Sequence, residues 1–383
     1  MRRAIIPDHF DVCVIGGGLA GLSAAAGLAA TRKVVLLERE PHFAYHSTGR
    51  SAALFAESYG NPAVRALTRA SRDFYLADGR PQPFTHARGA LFVATAEQRG
   101  ALEALYVELC AASSRTVLLD APAARDLCPA LRADTLAAAV LDPDARDIDV
   151  AVVVDHYVRE FRSHGGRQCR DTEVLGLEHA SGGWDIRAGS VRIRASVVVN
   201  AAGAWADALA RAAGVAPLGL EPRRRTAVRV SAAPWDVARW PFVVDVAEQW
   251  YFRADAGALL LSPADETPTV PCDAQPDEYD VAVAIERIEA ATRLVVDKPL
   301  SSWAGLRTFA ADRTPVAGFD PDVENFYWLA GQGGYGIQTA PALAQLTVAQ
   351  IGGLELPATL AAGGVDAAAL APGRLRTGGE PTR

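Results

Sequence analysis

The stretch at residues 10–38, FDVCVIGGGLAGLSAAAGLAATRKVVLLE, decides the fold class of this chain. Its apolar residues 10–15 predict a short buried strand, its alanine- and leucine-rich residues 19–30 predict a helix, and residues 34–37 predict a second strand. Elements in this order predict a βαβ unit, in which the two strands pair in parallel.

The turn between the first strand and the helix carries the pattern GxGxxG, formed by Gly16, Gly18 and Gly21. The first glycine permits the tight turn, the second lets a pyrophosphate approach the backbone, and the third lets helix and strand pack closely. Glu38 closes the second strand, where its carboxylate would accept hydrogen bonds from an adenosine ribose. This context favours a dinucleotide site over a glycine turn that binds nothing.

The composition is that of a globular protein, and 383 residues are too many for one ordinary core, which predicts two domains. The net charge of −7 does not favour nucleic acid as a partner. Five scattered cysteines without a CxxC pair favour neither a disulfide framework nor a metal site, and they fit a reducing cytoplasm. We expect no transmembrane segment, because no apolar run approaches the ~20 residues that a membrane helix needs.

The texture of the chain changes near residue 217. Before it, helices are predicted at residues 63–74, 96–112, 120–127 and 150–164, a polar loop at 142–149, a hairpin at 184–188 and 191–194, and a parallel strand at 197–200. Residues 217–306 predict an antiparallel sheet with β-rich runs at 226–230, 250–253, 258–262 and 292–296. A last strand at 326–330, a glycine cluster at 331–336 and a helix at 337–351 follow.

The glycine clusters bear on which dinucleotide binds. The GxGxxG motif that follows a predicted first strand lies near the start of the chain, and two further glycine clusters lie far downstream, at residues 200–204 and 331–336. A long flavin dinucleotide that crosses a sheet needs contacts from distant segments, whereas an NAD site is usually completed within one contiguous domain. The sequence therefore favours FAD over NAD.

Five strings together resemble the D-amino-acid oxidase superfamily of flavoenzymes. They are GGGLAGLSAA from residue 16, YHSTGRSAA from 45, NAAGAW from 200, AGLR from 304 and GQGGYGIQ from 331. Over about residues 9–372 the closest likeness is to bacterial FAD-dependent D-amino-acid dehydrogenases of the D-arginine dehydrogenase type.

The resemblance implies an α/β fold with a Rossmann-type FAD-binding domain and an α+β substrate domain whose sheet is mainly antiparallel. The FAD-binding domain would comprise residues 1–86, 145–216 and 304–372, and the substrate domain residues 87–144 and 217–303. Residues 373–383 are expected to form a disordered tail. FAD would be held without a covalent bond, because no cysteine lies near the flavin-facing motifs.

The resemblance also assigns residues to the cofactor. The helix after the last glycine cluster would point its positive end at the flavin and stabilise the reduced, anionic form. The residues expected to bind FAD are Gly16, Gly18, Leu19, Ala20, Gly21, Glu38, Arg39, Thr48, Gly49, Arg50, Ser51, Ala52, Val174, Ala202, Gly203, Trp205, Arg307, Gly333, Gly334, Tyr335, Gly336, Ile337 and Gln338.

For the substrate, Arg307 matches the carboxylate-binding arginine of the family, and Arg225 matches a second one. An arginine fork suits a carboxylate because it pairs with both oxygens. Tyr59, on a loop that could close, and Tyr251 match pocket tyrosines, and the Gly334 carbonyl could accept the amine N–H. A surface ion pair for Arg307 and a core role for Tyr251 stay open, and at least two arginines of the run 223–225 are expected to be solvated charges.

The expected reaction is hydride transfer from Cα of an amino acid, with D configuration implied by the resemblance, to flavin N5. The imino acid product would hydrolyse to a 2-keto acid and ammonia, and the electron acceptor, a quinone, oxygen or another, stays open. Gly89 and Leu54 stand where the D-arginine enzymes carry a glutamate and a histidine, so we expect a neutral or hydrophobic substrate. Glu57 could bind an amine or face solvent.

Three alternatives remain open at this point. A 2-hydroxy-acid dehydrogenase or a glycine/sarcosine-type oxidase of the same superfamily would share the flavin site and Arg307. A protein in which the flavin only stabilises the fold belongs to a different class. Ammonia release and anaerobic flavin reduction would distinguish them.

Overall fold

The computed structural model describes residues 8–112 and 115–376. Its strands are β1 (Asp8–Ile15), β2 (Val34–Leu37), β3 (Leu54–Phe55), β4 (Thr85–Ala87), β5 (Ala90–Ala94), β6 (Val117–Asp120), β7 (Ala138–Asp142), β8 (Arg146–Ile148), β9 (Arg167–Cys169), β10 (Val174–Ala180), β11 (Gly183–Ala188), β12 (Val191–Asn200), β13 (Glu221–Ser231), β14 (Phe242–Asp245), β15 (Tyr251–Asp255), β16 (Ala258–Ser262), β17 (Thr267–Pro268), β18 (Ser301–Phe309), β19 (Val316–Phe319) and β20 (Phe326–Ala330). Its α-helices are α1 (Leu19–Ala29), α2 (Pro62–Ala70), α3 (Arg72–Leu76), α4 (Arg99–Ala112), α5 (Ala121–Leu127), α6 (Val150–Ser163), α7 (Ala206–Ala212), α8 (Glu278–Ala291), α9 (Gly336–Gly352) and α10 (Ala358–Gly363).

The first sheet is built on the predicted βαβ unit. β1 lies between β12 and β2, and it pairs in parallel with both. β9 extends the sheet beyond β2, and β20 pairs in parallel with the end of β12. The sheet is therefore a mostly parallel, Rossmann-type sheet, to which β10, β11 and β19 add antiparallel pairs.

Both faces of this sheet are buried, as a doubly covered parallel sheet requires. Val12 and Val14 point into the core that α1, α6 and α9 cover, whereas Cys13 and Ile15 point into the core on the opposite face. Side chains alternate along a strand, so the continuous apolar run of β1 serves two layers. Small alanines in α1 let the buried helix lie close to its neighbours.

The second sheet has the order β17-β13-β16-β15-β14-β5-β7-β6, with β18 paired to β13. Every pair except β14·β5 is antiparallel. One face packs on α8 through Ala284 and Ile288, and the other face turns toward the first sheet. A small sheet of β3, β8 and β4 lies beside them. The predicted mainly antiparallel second sheet is confirmed.

In the second half, one predicted strand was wrong and one helix was not predicted. Residues 292–296 do not form a strand, and Thr292 makes only an isolated bridge with Leu131. These residues follow the end of α8, where Val295 remains 78% exposed and has no neighbouring strand to pair with. The helix α8 itself was not predicted, although Asp277 caps its start through Tyr279 N–H.

Two other boundaries differ from the sequence prediction. The loop predicted at residues 142–149 contains β8, which pairs with β3 and β4. The predicted hairpin strand at 191–194 and the parallel strand at 197–200 are one strand, β12, which pairs with β11 along its first half.

The predicted disordered tail begins inside ordered structure. A 3₁₀ helix spans Pro372–Leu375, and the Arg376 guanidinium pairs with the buried carboxylate of Asp320. Residues 377–383 lie outside the described residues.

The division into two domains stays a prediction. The predicted boundary between residues 303 and 304 falls within β18, and the whole of that strand pairs with β13 in the second sheet. Across residues 8–112 and 115–376, none of the helices is both long enough and apolar enough to span a bilayer.

Candidate cofactor and substrate site

A cavity of about 380 Å³ runs from the carboxyl ends of β1 and β2 to the inner face of the second sheet. Parallel sheets bind ligands at the carboxyl ends of their strands, so this position is the one expected for a dinucleotide. The predicted residues that line it are Gly16, Gly18, Leu19, Ala20, Glu38, Arg39, Thr48, Arg50, Ser51, Ala52, Val174, Ala202, Gly203, Trp205, Arg225, Tyr251, Arg307, Gly333, Gly334, Gly336 and Ile337.

The glycine turn has the geometry that the fingerprint predicts. Gly16 has φ of 112°, and a Cβ there would lie 2.3 Å from the carbonyl oxygen of Ala201. A Cβ on Gly21 would lie 1.9 Å from the carbonyl oxygen of Gly16. Gly21 therefore packs the helix on the turn and does not line the cavity, whereas Gly18 does.

Two helix N-termini face the cavity. α1 starts after Gly18 and α9 starts after Tyr335, and at neither start does the N-cap side chain accept a hydrogen bond from a first-turn N–H. The Leu19 N–H donates to Thr48 Oγ1 at 3.1 Å. The first-turn amides of a helix lack partners within the helix, and the helix dipole adds positive charge there, so both ends suit an anionic or electron-rich ligand.

The residues at the end of β2 form a tight cluster. Glu38 accepts hydrogen bonds from the N–H groups of Gly17 at 2.7 Å and Glu40 at 2.9 Å, so its carboxylate also stabilises the turn itself. The Arg39 guanidinium lies 3.8 Å from the centre of the Trp205 ring, and both residues line the cavity. The structure thus brings Glu38, Arg39 and Trp205 together, as expected for the nucleoside end of the site.

Arg50 lines the cavity, but its guanidinium is occupied by the protein. It donates to the carbonyl oxygens of Ala274 and Ala304, each at 2.8 Å, and pairs with Asp273. Its backbone carbonyl accepts from Trp303 Nε1 at 3.1 Å. The side chain of Arg50 therefore joins the glycine loop to β18, and what it offers a cofactor is backbone.

A second, smaller cavity of about 80 Å³ adjoins the first. The residues that line both are Ser51, Ala52, Arg225, Tyr251, Arg307, Gly334 and Ile337. Its remaining walls are mainly apolar. They are formed by Ala53, Leu54, Ala56, Phe92, Phe242, Val244 and Ala264, with Tyr59, Gln338 and the exposed Glu248.

Strand register explains why these side chains meet. Arg307 on β18 lies directly opposite Arg223 on β13, so Arg225, two residues along, is on the same face of the sheet. Tyr251 is opposite Val244, which shares that face with Phe242. The alternation that Tyr251 needed in order to point inward is present, and its side chain is 7% exposed.

Arg307 is the least compensated charge in the cavity wall. Its Nη1 donates to Tyr59 Oη at 3.3 Å, and it forms no ion pair with a carboxylate of the described residues. A guanidinium without a counter-charge in a mainly apolar pocket is costly, so an anion is the expected partner. The alternative of a surface ion pair does not fit this position.

Arg225 and Tyr251 complete the charged wall. Arg225 donates from Nε to the carbonyl oxygen of Asp265 at 2.8 Å and from Nη2 to Glu266 at 3.2 Å. Burial would raise the pKa of the Tyr251 hydroxyl, but the Arg307 and Arg225 guanidiniums outweigh burial and hold that pKa below its usual value. Phenolate character at Tyr251 is thus favoured by the same charges that would attract a carboxylate.

The other two arginines of the run are not simply solvated, which corrects the sequence expectation. Arg224 points to the opposite face of β13 and pairs with Asp280 on α8 at 2.7 Å. Arg223 pairs with Glu221, and its Nη1 lies 3.7 Å from Glu266 Oε2. Strand alternation separates Arg224 from its neighbours, and the unpredicted helix α8 supplies its partner.

The loop that carries Tyr59 is tied down on both sides. Ser58 Oγ donates to Asp142 at 2.6 Å, and Asn61 Nδ2 donates to Thr314 Oγ1 at 2.9 Å. Tyr59 packs against Tyr335, with ring centres 4.9 Å apart.

Several predicted site residues lie elsewhere. Tyr335 packs between Tyr59 and Phe309, and Gly49 supports its loop through an N–H bond to Ala44. Glu57 forms an ion pair with Arg72 and lines neither cavity. Gly89 also lies outside the cavity walls, and Phe92, on the strand β5 that begins at the next residue, lines the smaller cavity.

The sequence analysis did not single out several residues that line the main cavity. They include Gly17, Thr172, Glu173, Ala208, Leu209, Ala212, Ala227, Gly305, Leu306, Thr308 and Gln332. Most are small or apolar and present backbone, so no chemical signal marks them in the sequence.

The residues present fit FAD. The cavity is long, begins at a glycine turn with a helix N-terminus, and ends beside α9 and the arginines. Gln332 Nε2, among the groups lining it, is buried without a hydrogen-bond partner in the described residues. Such an orphaned donor is accounted for by an acceptor on a bound ligand. The fold and site together define an α/β dinucleotide-binding protein with a charged ligand pocket at the far end of the dinucleotide.

Comparison with known proteins agrees. The family model described as FAD dependent oxidoreductase (DAO) matches residues 11–350. The chain belongs to the DAO family, and it is an FAD-dependent oxidoreductase. The resemblance to the superfamily is thereby confirmed, and the closer likeness to the D-arginine dehydrogenase type stays a prediction.

Three individual proteins illustrate the relationship. The chain is 24% identical over 391 residues to FAD-dependent oxidoreductase domain-containing protein 1 of Xenopus laevis, with 88% of this chain and 78% of that protein covered. L-α-glycerophosphate oxidase from Mycoplasma pneumoniae with FAD bound is similar in structure, with a TM-score of 0.81 at 19% identity, over 90% of this chain and 95% of that one. L-proline dehydrogenase from P. horikoshii has a TM-score of 0.80 at 20% identity, over 97% and 99%. At these identities the two structures show the shared fold alone.

Proposed function

We propose that this enzyme oxidises the Cα–N bond of an amino acid whose side chain is neutral or hydrophobic. The observation that carries the proposal is the Arg307 guanidinium, which faces both cavities without a counter-charge among the described residues. A substrate carboxylate would neutralise it and pair with its fork. The D configuration rests on the sequence resemblance, and L-proline dehydrogenase is among the similar structures.

The pocket wall supports the choice of side chain. Leu54, Phe92, Phe242 and Val244 are apolar, and the one carboxylate that lines this cavity, Glu248, is exposed at its edge. A cationic side chain would lack a buried partner, which costs several kcal/mol. A neutral or apolar side chain has no such cost, so we expect it to be preferred.

When bound, FAD supplies the acceptor, at N5, for the hydride that leaves Cα. The chain supplies orientation and charge. Arg307, Arg225 and the hydroxyls of Tyr59 and Tyr251 would fix the carboxylate, and the Gly334 carbonyl would accept an amine N–H. The uncapped N-terminus of α9 would stabilise negative charge that develops beside it. Water then hydrolyses the imino acid product to a 2-keto acid and ammonia.

The test is a panel of D- and L-amino acids, with 2-hydroxy acids and sarcosine as alternative substrates. Each compound is mixed anaerobically with the purified yellow protein. We expect bleaching of the flavin absorbance by neutral or apolar amino acids, and ammonia in stoichiometric amount. Bleaching by hydroxy acids alone, or no bleaching by any compound, would overturn the proposal.

Arg307→Met, with Arg159→Met as its matched control, tests the assignment of the carboxylate site. Arg159 lies on α6, is exposed, pairs with Asp155 and lines neither cavity. We expect Arg307→Met to remain yellow and to lose flavin reduction at ordinary substrate concentrations, whereas Arg159→Met reacts normally. Normal turnover by Arg307→Met would show that the carboxylate binds elsewhere.

A further inference from the structure

Glu266 is a carboxylate that accepts a hydrogen bond from Arg225, one of the two arginines of the substrate cavity, and no sequence motif marks it. It lies just before β17, and its side chain is 26% exposed. Its Oε1 accepts from Arg225 Nη2 at 3.2 Å and from Arg313 Nη2 at 2.8 Å, and its Oε2 accepts from Arg313 Nη1 at 3.0 Å. Glu266 thus holds Arg225 from the side away from the cavity.

This contact limits what Arg225 can offer to a ligand. Its Nε donates to the carbonyl oxygen of Asp265, and its Nη2 donates to Glu266. The fork formed by Nε and Nη2 of Arg225 is therefore engaged by the protein, and the N–H groups of Nη1 and the second N–H of Nη2 remain for other acceptors. Within the described residues, Arg307 makes one side-chain hydrogen bond, to Tyr59 Oη, so it has more donors to offer a ligand. Arg307 is therefore the less engaged of the two guanidiniums in the carboxylate site.

Glu266 also sets the charge of that site. Arg225 and Arg307 line the cavity with two positive charges, and Glu266 behind them contributes one negative charge. The Asp265 carboxylate is turned away, toward the N–H and hydroxyl of Thr226. Arg313 is 43% exposed, so solvent screens it more. Arg223 also faces Glu266, with its Nη1 3.7 Å from Glu266 Oε2. Glu266 therefore lowers the positive potential that a ligand meets in the cavity without cancelling it.

We propose that Glu266 is a specificity-determining residue that holds Arg225 and matches the site to amino acids with one carboxylate. The inference rests on the proposed function and names the substrate class more narrowly. With Glu266 in place, its negative charge would repel a second carboxylate on the substrate. Monocarboxylic amino acids are therefore accepted, and dicarboxylic ones are disfavoured.

The experiment compares acetate and malonate as non-reacting probes of the holoenzyme. Each is titrated into the protein at low ionic strength and at a pH where malonate is a dianion, and binding is followed by the change in flavin absorbance. In Glu266→Gln the site gains one positive charge, which acts on two charges of malonate and on one of acetate. We expect the ratio of malonate to acetate affinity to rise about threefold or more above wild type.

Two further variants test the direction of the change in the affinity ratio. Arg313→Gln removes a positive charge from the same network, so the ratio should fall. Glu103→Gln makes the same change in net charge on the exposed surface of α4 and should leave the ratio unchanged. A ratio in Glu266→Gln that equals wild type, falls, or changes equally in Glu103→Gln would overturn the proposal. If Glu266→Gln does not fold, Arg313→Gln decides alone, and an unchanged or raised ratio there refutes the idea.

The outcome is separable from that of the proposed function. If both anions bind but no amino acid reduces the flavin, the proposed reaction is wrong and the role of Glu266 is still decided by the ratio. If neither anion binds to wild type, no carboxylate site exists there, and both proposals fail.

Discussion

Gly334→Ala tests the position of Arg307 without removing the arginine. Gly334 lies where the backbone passes the guanidinium, and an added Cβ would be 2.7 Å from Arg307 Nη1, 2.8 Å from Cζ and 3.1 Å from Nε. The contact atoms are the far end of a flexible side chain, and Gly334 has no positive φ, so the fold can accept alanine. The guanidinium must then move.

The size of the effect follows from that distance. Ordinary contacts of a Cβ begin at 3.4 Å, so a contact of 2.7 Å requires Arg307 to retreat by about 0.7 Å. A misplacement of about 1 Å in a substrate-positioning group can cost about 100-fold in rate. We expect kcat/KM to fall by about 10- to 100-fold, which is about 1.4–2.7 kcal/mol of transition-state stabilisation.

The assay is anaerobic flavin reduction at varied concentrations of the best substrate, alongside a thermal melt and the FAD content. We expect unchanged melting and full FAD occupancy, because the strain is relieved by one side chain. Gly100→Ala on α4 is the matched control, since a Cβ there meets nothing within 4 Å. A Gly334→Ala enzyme with kcat/KM within about twofold of wild type would refute the placement of Arg307 beside the substrate.

Two shorter predictions concern the cofactor turn and the pH dependence. Gly21→Ala would place a Cβ 1.9 Å from the backbone oxygen of Gly16, so we expect the free energy of unfolding to fall by about 3 kcal/mol or more. The loss would be seen as a lower melting temperature or as no soluble yellow protein. A normal melting temperature would contradict the packing role of Gly21. Arg307 and Arg225 hold the pKa of Tyr251 below its usual value, so acetate should bind most tightly while Tyr251 is protonated and more weakly as the pH rises through that pKa, because the phenolate competes for the arginines. Tyr251→Phe should abolish this loss of acetate affinity at alkaline pH. An unchanged pH profile in that variant would show that another group titrates.

The cofactor half of the site could be predicted from sequence because its information is local. The glycine turn, the strands beside it and α9 are contiguous segments, and each has a physical signature: an apolar run, glycines where a Cβ would collide, and a helix after a glycine cluster. The hydrogen bonds of individual side chains in this half could not be predicted. The sequence could not show that Glu38 would hold the N–H groups of Gly17 and Glu40, or that Arg50 would be occupied by Ala274 and Ala304.

The substrate half depends on contacts that are distant in sequence, and there the predictions were less complete. The helix α8 lies in a region whose apolar and charged residues also fit short strands. The ion pair between Asp280 on α8 and Arg224 could therefore not be predicted. Glu266 and the cavity residues Phe92, Phe242 and Val244 have no motif around them. Their roles arise only when β5, β14 and β15 are aligned side by side.

The resemblance to the family assigned Arg225 and Arg307 to the substrate site, whereas the residues alone could not. The physical reason is the register of the strands that carry them. The two side chains share a face because Arg223 is opposite Arg307 across β13 and β18. A slip of one residue in that pairing would bring Arg224 opposite Arg307, and Arg225 would then point at α8 instead of the cavity. The charged pocket is therefore a property of strand alignment, which the run of three arginines does not encode by itself. In the observed register, alternation leaves Arg225 with Glu266 and gives Arg224 to Asp280, so one guanidinium of the run is left to face a substrate.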